Sequence, residues 1–561
     1  MKPFEIDVSY IRAKDVKRPL VETYTAPVAV CHAMDVREYE MREFDFIKGK
    51  KVLIAKQRGR IHALGSLCPH ANAPLVKGVL GEGRIRCPWH GSCFNLETGD
   101  IEDYPGVNSL PRYKVDVERG GLVMVRARVQ DVPSSGRMQK MVKRDLENPL
   151  VYLIIGGGIA AQMCAATLRK EGFTGRILMI CKEPHLPYNR TNLTKYPNAK
   201  MKQMQFRPKE FYDEYNIEML LDTEAVKANM EEKTITTSDD VRFFYNKMLI
   251  ATGSSARKPS IKGIDLKNVF TLRDYEDWEH IREASKAKNV VCIGSSYIVL
   301  EVAQNIISYA HTKVTIVARS QVPMLAVFGL TIGERILKLF RDNMITMLMQ
   351  TTVTEVEGDA DGNVIQLTLS DGQQLPCQCL IIGAGVRCNT DFLVGSGLPI
   401  NANGSIEADM YLKTLFDDVY VGGDLAHAPV HSDNNRCSAI GHEQIAQYHG
   451  RVAAINMAGS RLVDLRTVPF YTTSLFKIDF RCAGIGRYSD IVFEGDVGTF
   501  NFVAYYLDNL DKVISIVACN RDPIVSQFAE LRSQGRILRR HDLLDVKKPW
   551  TARLKGPIKC Y

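Results

Sequence analysis

The chain lacks the features that mark membrane-spanning, secreted and nucleic-acid-binding proteins. No apolar run in its 561 residues approaches the roughly 18 residues that cross a bilayer, so no transmembrane helix is expected. The N-terminal sequence MKPFEIDVSYIRAKDVKRPLVE has no apolar core and mixes acidic with basic residues, so neither a secretory nor a mitochondrial signal is evident. The net charge of +8 is small for this length and no dense Lys/Arg run occurs, so nucleic acid is not an expected partner.

The 14 cysteines lack the spacing of a disulfide framework. No Cys-x-x-Cys pair occurs anywhere, and the Cys-x-Cys of Cys377 and Cys379 is interpreted as two structural thiols. A redox-active dithiol and disulfide reductase activity are therefore not expected. Scattered thiols are typical of a reducing compartment, so the cytoplasm is the predicted location, while an association with mitochondria stays open.

The order of sequence patterns predicts a multidomain protein of mixed fold class. A single core rarely exceeds about 250–300 residues, so a chain of 561 residues implies several domains. Short alternating runs predict an N-terminal all-β domain, strands alternating with helices predict two doubly wound α/β (Rossmann-like) domains, and a strand-rich end predicts a C-terminal α+β domain. The predicted segments are an all-β domain at 25–127, a linker at 128–149, a first dinucleotide-binding domain at 150–287 and 410–467, a second at 288–409, and a C-terminal domain at 468–561.

Two short segments each pair a cysteine with a histidine. CPHANAPL contains Cys68 and His70, and CPWHGSCFN contains Cys87 and His90, with sixteen residues between the two pairs. Two thiolates and two neutral imidazoles are the ligand set of a Rieske [2Fe–2S] centre, and a Cys2His2 zinc site would need the same residue types. A proline after each cysteine, and Gly91 after the second histidine, favour two loops that wrap one cluster. The segments resemble the two ligand boxes of Rieske domains, and the two pairs are the predicted metal ligands.

A glycine-rich turn joins the apolar run VYLII to a predicted helix. Gly156, Gly158 and Ala161 have the spacing Gly-x-Gly-x-x-Ala. The first glycine allows a tight turn, the second lets backbone approach a pyrophosphate, and the small third residue lets the helix pack on the strand. The helix N-terminus favours the anionic phosphates. This context predicts a dinucleotide-binding site.

Three further segments belong to the same predicted fold. They are MLIATGSSAR with Thr252 and Gly253, TLFDDVYVGGD ending at Asp424, and LPYNRTNLTK with Arg190 and Lys195. Together they resemble FAD-containing pyridine-nucleotide oxidoreductases, which implies that Asp424 hydrogen-bonds the ribityl chain of FAD and that Arg190 and Lys195 lie along the flavin. The acidic residue expected at the adenosine ribose falls in ILMICKEP, where Lys182 takes the better register and the neighbouring Glu183 is the candidate.

A second glycine motif, VVCIGSSYIVLEVA, is incomplete. Gly294 is present, but Ser296 and Val299 replace the second and third small residues. A Cβ at 296 should obstruct approach to a pyrophosphate, and a β-branched residue at 299 should push the helix off its strand. Arg319 follows the next predicted strand, where it could accommodate the 2′-phosphate of NADP. NADH or NADPH binding stays open, with Gly294 and Arg319 as candidate contacts.

With the Cys–His pairs in front of the FAD segments, the chain from about residue 25 to 540 resembles apoptosis-inducing factor-like flavoproteins that carry an N-terminal Rieske domain. The resemblance implies FAD, a [2Fe–2S] cluster and NAD(P)H oxidoreductase chemistry, with an apoptosis-related role attributed to the group. It also implies that Glu301 pairs with Lys195 beside the flavin, that Tyr471 is an aromatic contact under the flavin, and that Glu443 lies near its edge.

These observations predict an oxidoreductase that passes electrons from NAD(P)H through FAD to the [2Fe–2S] cluster and to an acceptor that the sequence does not identify. Lys195 and Glu301 are the candidate catalytic residues. The alternative is a degenerate oxidoreductase with impaired NAD(P)H binding, which acts as a redox sensor or binds a partner. The oligomeric state stays open.

Overall fold

The computed structural model describes residues 23–132, 134–545 and 549–554. The N-terminal segment interpreted above as free of a targeting signal lies outside the described residues, as do parts of the predicted linker and C-terminal domain: 1–22, 133, 546–548 and 555–561. Within the described ranges, no helix is long and apolar enough to cross a membrane.

The N-terminal region consists of short strands in two antiparallel sheets. Its strands are β1 Val28–His32, β2 Glu40–Asp45, β3 Lys51–Gln57, β4 Arg60–Gly65, β5 Val79–Gly81, β6 Arg84–Arg86, β7 Cys93–Asn95, β8 Ile101–Asp103, β9 Arg112–Val117 and β10 Leu122–Arg126. The larger sheet has the order β1-β10-β9-β4-β3-β2, and the smaller has the order β5-β6-β7-β8. One Cys–His loop follows β4 and the other joins β6 to β7, so strands of both sheets position the pairs.

The middle of the chain alternates strands with helices. Its first part comprises β11 Val151–Ile155, α1 Ile159–Lys170, β12 Arg176–Ile180, α2 Asn192–Lys195, α3 Met201–Met204, α4 Lys209–Glu214, β13 Ile217–Leu220, β14 Ala225–Asn229, β15 Thr234–Thr237, β16 Arg242–Phe244, β17 Lys247–Ile250 and β18 Ser254–Ala256. Its second part comprises β19 Val269–Thr271, α5 Tyr275–Ala284, β20 Asn289–Ile293, α6 Tyr297–Ile306, β21 Lys313–Ala318, α7 Leu325–Asp342, β22 Thr346–Met349, β23 Val353–Gly358, β24 Val364–Leu369, β25 Gln374–Pro376, β26 Cys379–Ile382 and β27 Val386–Cys388. The chain then returns to the first part through β28 Ile406–Glu407, β29 Val419–Val421, β30 Ala426–Val430, β31 Arg436–Ala439 and α8 Glu443–Ala458.

Two parallel five-stranded sheets result. The first has the order β13-β12-β11-β17-β29, and the second has the order β19-β26-β20-β21-β22. The smaller sheets of this part are antiparallel except for the parallel pair of β28 and β30, and β18 pairs with β27 to connect the two units. The strands β11 and β20 are buried apolar runs, as expected of parallel strands covered on both faces.

Helices α1 and α8 of the first unit pack unusually closely. A Cβ added at Gly450 of α8 would lie 2.2 Å from the carbonyl oxygen of Ala160 in α1, so only glycine allows this approach. The contact fixes α8 beside the turn that carries Gly156 and Gly158.

The C-terminal region is an antiparallel sheet covered by helices. It comprises β32 Phe470–Leu475, β33 Ile478–Gly484, β34 Asp490–Asp496, β35 Asn501–Leu507, β36 Val513–Cys519, α9 Ile524–Ser533 and α10 Arg540–Leu544. The sheet order is β32-β33-β36-β35-β34. The predicted fold class, an all-β domain, two doubly wound units and a C-terminal α+β region, is confirmed, while the exact segment boundaries stay a prediction.

Val299 does not push α6 off its sheet, contrary to the expectation from sequence. Its side chain is buried between α6 and the sheet. A Cβ added at Gly383, which follows β26, would lie 2.2 Å from Cγ2 of Val299. A glycine at 383 therefore leaves the space that the branched side chain at 299 fills.

This compensation predicts the behaviour of two substitutions. Gly383→Ala should lower the free energy of unfolding by about 1–3 kcal/mol, because its methyl group overpacks Val299. The double variant Gly383→Ala/Val299→Ala should recover most of that loss. Urea unfolding of the wild type, both single variants and the double variant tests this, and additive losses would contradict it.

Candidate functional site

Two loops bring two cysteines and two histidines together. Cys68 and Cys87 are both buried, and the nearby Cys87 side chain is the main cause that lowers the pKa of the Cys68 thiol. The rings of His70 and His90 meet edge to face, with their centroids 4.8 Å apart. Residues that the sequence predicted as one ligand set thus lie within one small volume.

The two imidazoles have the state that a metal ligand needs. Burial lowers the pKa of His70 to about 4 and that of His90 to about 3, so both rings are neutral at physiological pH. The Nδ1 atoms of both rings are buried and have no hydrogen-bond partner. Buried nitrogens are rarely left unpaired, and coordination to a metal would satisfy both. Two sulfurs and two such nitrogens fit a [2Fe–2S] cluster.

The residues predicted to bind FAD follow the carboxyl ends of neighbouring parallel strands. Gly156 and Gly158 follow β11, Thr252 and Gly253 follow β17, and Asp424 follows β29. These three strands are adjacent in the sheet order. The segments therefore meet along one edge of the sheet, which is where doubly wound sheets bind ligands.

Glycine is favoured at positions 156 and 158 for different physical reasons. Gly156 has φ +132°, and a Cβ there would lie 2.2 Å from the carbonyl oxygen of Ala251, so the fold itself requires glycine. Gly158 has φ −86°, and a Cβ there would meet nothing within 4 Å. Because neither conformation nor packing demands a glycine at 158, the open space fits the close approach of a pyrophosphate.

Asp424 lies in a polar cluster that the sequence did not predict in full. Its carboxylate accepts hydrogen bonds from Ser254 Oγ at 2.7 Å and from Arg273 Nη2 at 3.0 Å. Arg190 donates to the backbone carbonyl oxygen of Arg273 at 3.0 Å. Arg273 stands just before the N-cap of α5 in no recognisable motif, so only the fold identifies it as part of this cluster.

Glu183 faces this cluster. Its carboxylate pairs with Arg190 and accepts a hydrogen bond from the Tyr188 hydroxyl at 2.9 Å. Burial raises the pKa of Glu183, but Arg190 outweighs this effect and holds the pKa below its usual range. Lys182 instead points to the surface, where it pairs with Glu224 at 2.7 Å. Of the two residues at the strand end, Glu183 is therefore the candidate for the adenosine ribose.

Lys195 and Glu301 form the predicted ion pair. Lys195 Nζ lies 2.8 Å from Glu301 Oε1, and Glu301 is nearly buried. The same carboxylate accepts hydrogen bonds from the hydroxyls of Thr194 and Thr473, the latter at 2.7 Å. The pair thus joins α2, α6 and β32.

Aromatic and acidic side chains lie near Lys195. Tyr471 meets the ring of His442 edge to face, with centroids 4.6 Å apart. Next to it, Glu443 accepts hydrogen bonds from Asn189 at 3.0 Å and from Thr191 at 3.1 Å. Burial raises the pKa of Glu443 to about 7, so this carboxyl group can hold or release a proton near neutral pH.

The second doubly wound unit presents the incomplete motif at the start of α6. Gly294 has φ +110°, which favours glycine. Ser296 is exposed at the N-cap with φ −89°, a conformation that any residue adopts. Arg319 is exposed directly after β21. The helix terminus is thus formed and open, and the serine adds only a small side chain to it.

Comparison with known proteins agrees with this architecture. The Rieske [2Fe-2S] domain model matches residues 26–114, and the model of the pyridine nucleotide-disulphide oxidoreductases matches residues 151–453. The fold and the site therefore define a pyridine nucleotide-disulphide oxidoreductase with its own Rieske domain. The cofactors implied by this combination are a [2Fe–2S] cluster, FAD and NAD(P)H.

Relatives extend the match over the chain. Apoptosis-inducing factor 3 from Mus musculus is 37% identical over 536 residues, which cover 94% of this chain and 88% of the mouse protein. The Homo sapiens protein of the same name is 37% identical and covers 92% of this chain and 85% of its own. The chain belongs to the apoptosis-inducing factor 3 family.

Solved structures share the fold of the larger part. A ferredoxin reductase from Rhodopseudomonas palustris is 24% identical with a TM-score of 0.67, and the match covers 72% of this chain and 100% of the reductase. A covalent complex of putidaredoxin reductase with putidaredoxin is 23% identical with a TM-score of 0.68, and the match covers 72% and 98% of the two chains.

The metal site predicts that substitutions of its ligands, but not of a nearby cysteine, remove bound iron. Cys87→Ser and His90→Ala should lose bound iron, because each removes one ligand, whereas wild type should contain about two irons per chain. Cys93→Ala is the matched control, since Cys93 is also buried but lies in β7. Iron and zinc content measured by elemental analysis decides between the two metals. Zinc in place of iron in the wild type would contradict the cluster.

The raised pKa of Glu443 predicts a pH dependence of stability. Its pKa is raised from 4.5 to about 7 by burial, so folded protein binds a proton that unfolded protein releases in this range. The free energy of unfolding of wild type should therefore fall relative to Glu443→Gln as pH rises from about 4.5 to 7, and the difference should then level off. Glu283→Gln, an exposed change, should show no such fall, because the pair with Lys286 lowers the pKa of Glu283 instead of raising it. A Glu443→Gln difference that does not fall over this range would show that the pKa of this carboxyl group is not raised.

Proposed function

We propose that the protein transfers electrons from NAD(P)H through FAD to its own [2Fe–2S] cluster, which passes them to a separate acceptor. One observation carries this proposal: a single side chain, Gln447 of α8, spans the two sites. Its Oε1 accepts a hydrogen bond from the Gly106 amide at 3.0 Å, and its Nε2 donates to Glu443 at 3.3 Å. Gly106 in turn lies against His70, since a Cβ added at Gly106 would be 3.7 Å from His70 Cβ.

Each site residue has a role in this proposal. Cys68 and Cys87 would hold one iron, and His70 and His90 the other. Gly156, Gly158 and Ala161 would admit the pyrophosphate of FAD, and Glu183 would bind its adenosine ribose. Thr252, Gly253, Arg190 and Asp424 would line the rest of the cofactor, and Tyr471 would contact the flavin ring.

FAD, when bound, can accept an electron pair from a nicotinamide and release single electrons to an iron–sulfur cluster. Around it, Glu301 holds the Lys195 ammonium in one place through their ion pair, with Thr194 and Thr473 fixing the carboxylate. Glu443 can take up or release a proton at its carboxyl group. Glu301 positions Lys195, and Glu443 exchanges a proton. Electron transfer needs no further nucleophile or acid–base triad.

The exposed N-terminus of α6 at Ser296 favours a site that binds NAD(P)H over one that has lost nucleotide binding. The competing function is a degenerate oxidoreductase that senses redox state or binds a partner. It is motivated by the altered glycine pattern at 294–299 and by Ala318, at the end of β21, where a ribose-binding carboxylate is usual. Arg319 would replace that carboxylate in an NADPH-binding site.

The proposal also covers the partners, the location and the oligomeric state of the protein. The acceptor would be a further electron carrier, no sequence feature points to nucleic acid as a partner, and the free thiols of the described residues favour the cytoplasm, with a mitochondrial association as the other location to test. An apoptosis-related role is a hypothesis that rests on the name of the relatives alone. Sedimentation of the holoprotein would determine its oligomeric state.

Anaerobic titration with NADH and, separately, NADPH tests the proposed function. Either nucleotide should bleach the flavin absorbance and then reduce the cluster. Arg319→Ala should raise the KM for NADPH by about 10-fold by removing a charge-assisted bond to the 2′-phosphate, and should leave the KM for NADH unchanged.

Lys338→Ala is the control, because Lys338 is an exposed cation on α7 that pairs with Asp342. If dithionite reduces both cofactors but neither nucleotide does, the electron donor in this proposal is wrong and the sensing function takes its place.

A further inference from the structure

The N-terminal β region and the C-terminal region share a buried ion cluster. Glu530 of α9 is completely buried, and its two carboxylate oxygens accept hydrogen bonds from Arg84 Nε at 2.9 Å and Arg86 Nε at 3.1 Å. Both arginines belong to β6 of the N-terminal sheet. A Cβ added at Gly81 would lie 2.3 Å from Glu530 Oε1, so the facing strand leaves no space for water beside the carboxylate.

This cluster is directly connected to the second Cys–His loop. Arg86 precedes Cys87 in the chain, and its Nη1 donates to the carbonyl oxygen of Gly91 at 2.9 Å and to Asp103 Oδ2 at 3.2 Å. Arg86 is itself buried. One arginine thus joins the interdomain carboxylate of Glu530 to both ends of the 87–91 loop.

The C-terminal region also holds the loop by its backbone. Ser526 Oγ, one turn before Glu530 on α9, donates to the carbonyl oxygen of Cys87 at 2.8 Å. Arg481 Nε of β33 donates to the carbonyl oxygen of Trp89 at 3.1 Å. A Cβ added at Gly91 would lie 2.7 Å from the ring of Phe470, so the loop packs directly on β32.

A third set of contacts ties the same sheet to α8. Asp103 of β8 accepts hydrogen bonds from Gln444 Nε2 at 3.0 Å and from Thr467 Oγ1 at 2.9 Å. All three side chains are buried. Asp103 therefore connects the Arg86 side of the ion cluster to the helix that carries Glu443.

Separation of the two regions would leave these groups unpaired. A buried carboxylate that loses its partners is strongly destabilising, and buried polar groups that lose a partner add to that cost. A domain that swings on a linker needs an interface that opens easily, which is usually small and polar without buried charges. The contacts here are of the opposite kind.

We propose that Glu530 is a positioning residue that locks the N-terminal Rieske domain onto the C-terminal region, so that the 87–92 loop stays in this one position throughout turnover. The acceptor must then come to the cluster, because the cluster does not move out to the acceptor. This inference rests on the proposed function for its meaning in electron transfer, but the lock itself can be measured without any nucleotide.

Hydrogen–deuterium exchange of the cofactor-loaded full chain tests the lock. In wild type, the amides of 87 and 89–92 should be protected in both the oxidised and the dithionite-reduced protein, Pro88 having no amide hydrogen. Glu530→Gln should increase their exchange on the order of 10-fold, since a neutral amide cannot pair both arginines. Glu283→Gln, which changes an exposed glutamate paired with Lys286, should leave the exchange as in wild type.

A second variant covers the case in which Glu530→Gln fails to fold. Arg84→Gln removes only the ion pair of Arg84, whose side chain is 25% exposed, and leaves the buried Arg86–Glu530 pair intact. This variant should therefore fold, and it should raise exchange in the same loop by a smaller factor. Exchange in β9 and β10, which belong to the other N-terminal sheet, should stay unchanged in each variant, and so should the iron content.

Two results would overturn the lock: rapid exchange of 87–92 in wild type, or iron-loaded, folded variants at Arg84 and Glu530 whose loops exchange as in wild type. The nucleotide titration separates this outcome from failure of the proposed function. Protected loops without reduction by NADH or NADPH would leave the lock standing and reject the donor. Reduction by a nucleotide with an unprotected loop would do the reverse.

Discussion

The close packing of α1 on α8 is the constraint on which the two cofactor sites depend. Gly450 lets α8 approach the backbone of α1 at Ala160, within the turn-and-helix unit that begins at Gly156. That approach sets the position and direction of α8. Helix α8 places Glu443 at the FAD site, and Gln444 and Gln447 against the N-terminal domain. A larger residue at 450 would separate the helices and move three functional side chains at once.

Residues that belong to recognisable motifs could be predicted to meet even when they lie far apart along the chain, whereas partners outside any motif could not. Gly156, Thr252 and Asp424 follow strands, and parallel strands bring their carboxyl ends to one edge, so their meeting follows from the fold class. The Cys–His pairs likewise show their chemistry in their spacing. Glu530 and Arg86 stand 444 residues apart, in elements whose local patterns are those of an ordinary helix and strand.

At Val299 the sequence motif predicted a defect that the structure does not have. Its sequence context indicates a damaged nucleotide motif, because a branched residue stands where a small one is usual. The structure places Gly383 against it, so the volume gained in α6 is offset at the end of β26. Compensation of this kind is invisible in a motif, since it depends on a contact between two segments. What remains atypical at this site is the surface chemistry of Ser296 and Arg319, not the packing beneath it.

The order of the segments along the chain has a consequence for biosynthesis. The loop with Cys87 and His90 is covered by Ser526 and Phe470, which the ribosome adds several hundred residues later. During synthesis the N-terminal domain is therefore complete while this side of its ligand loop is still uncovered. Docking of the last domain then covers this side of the loop.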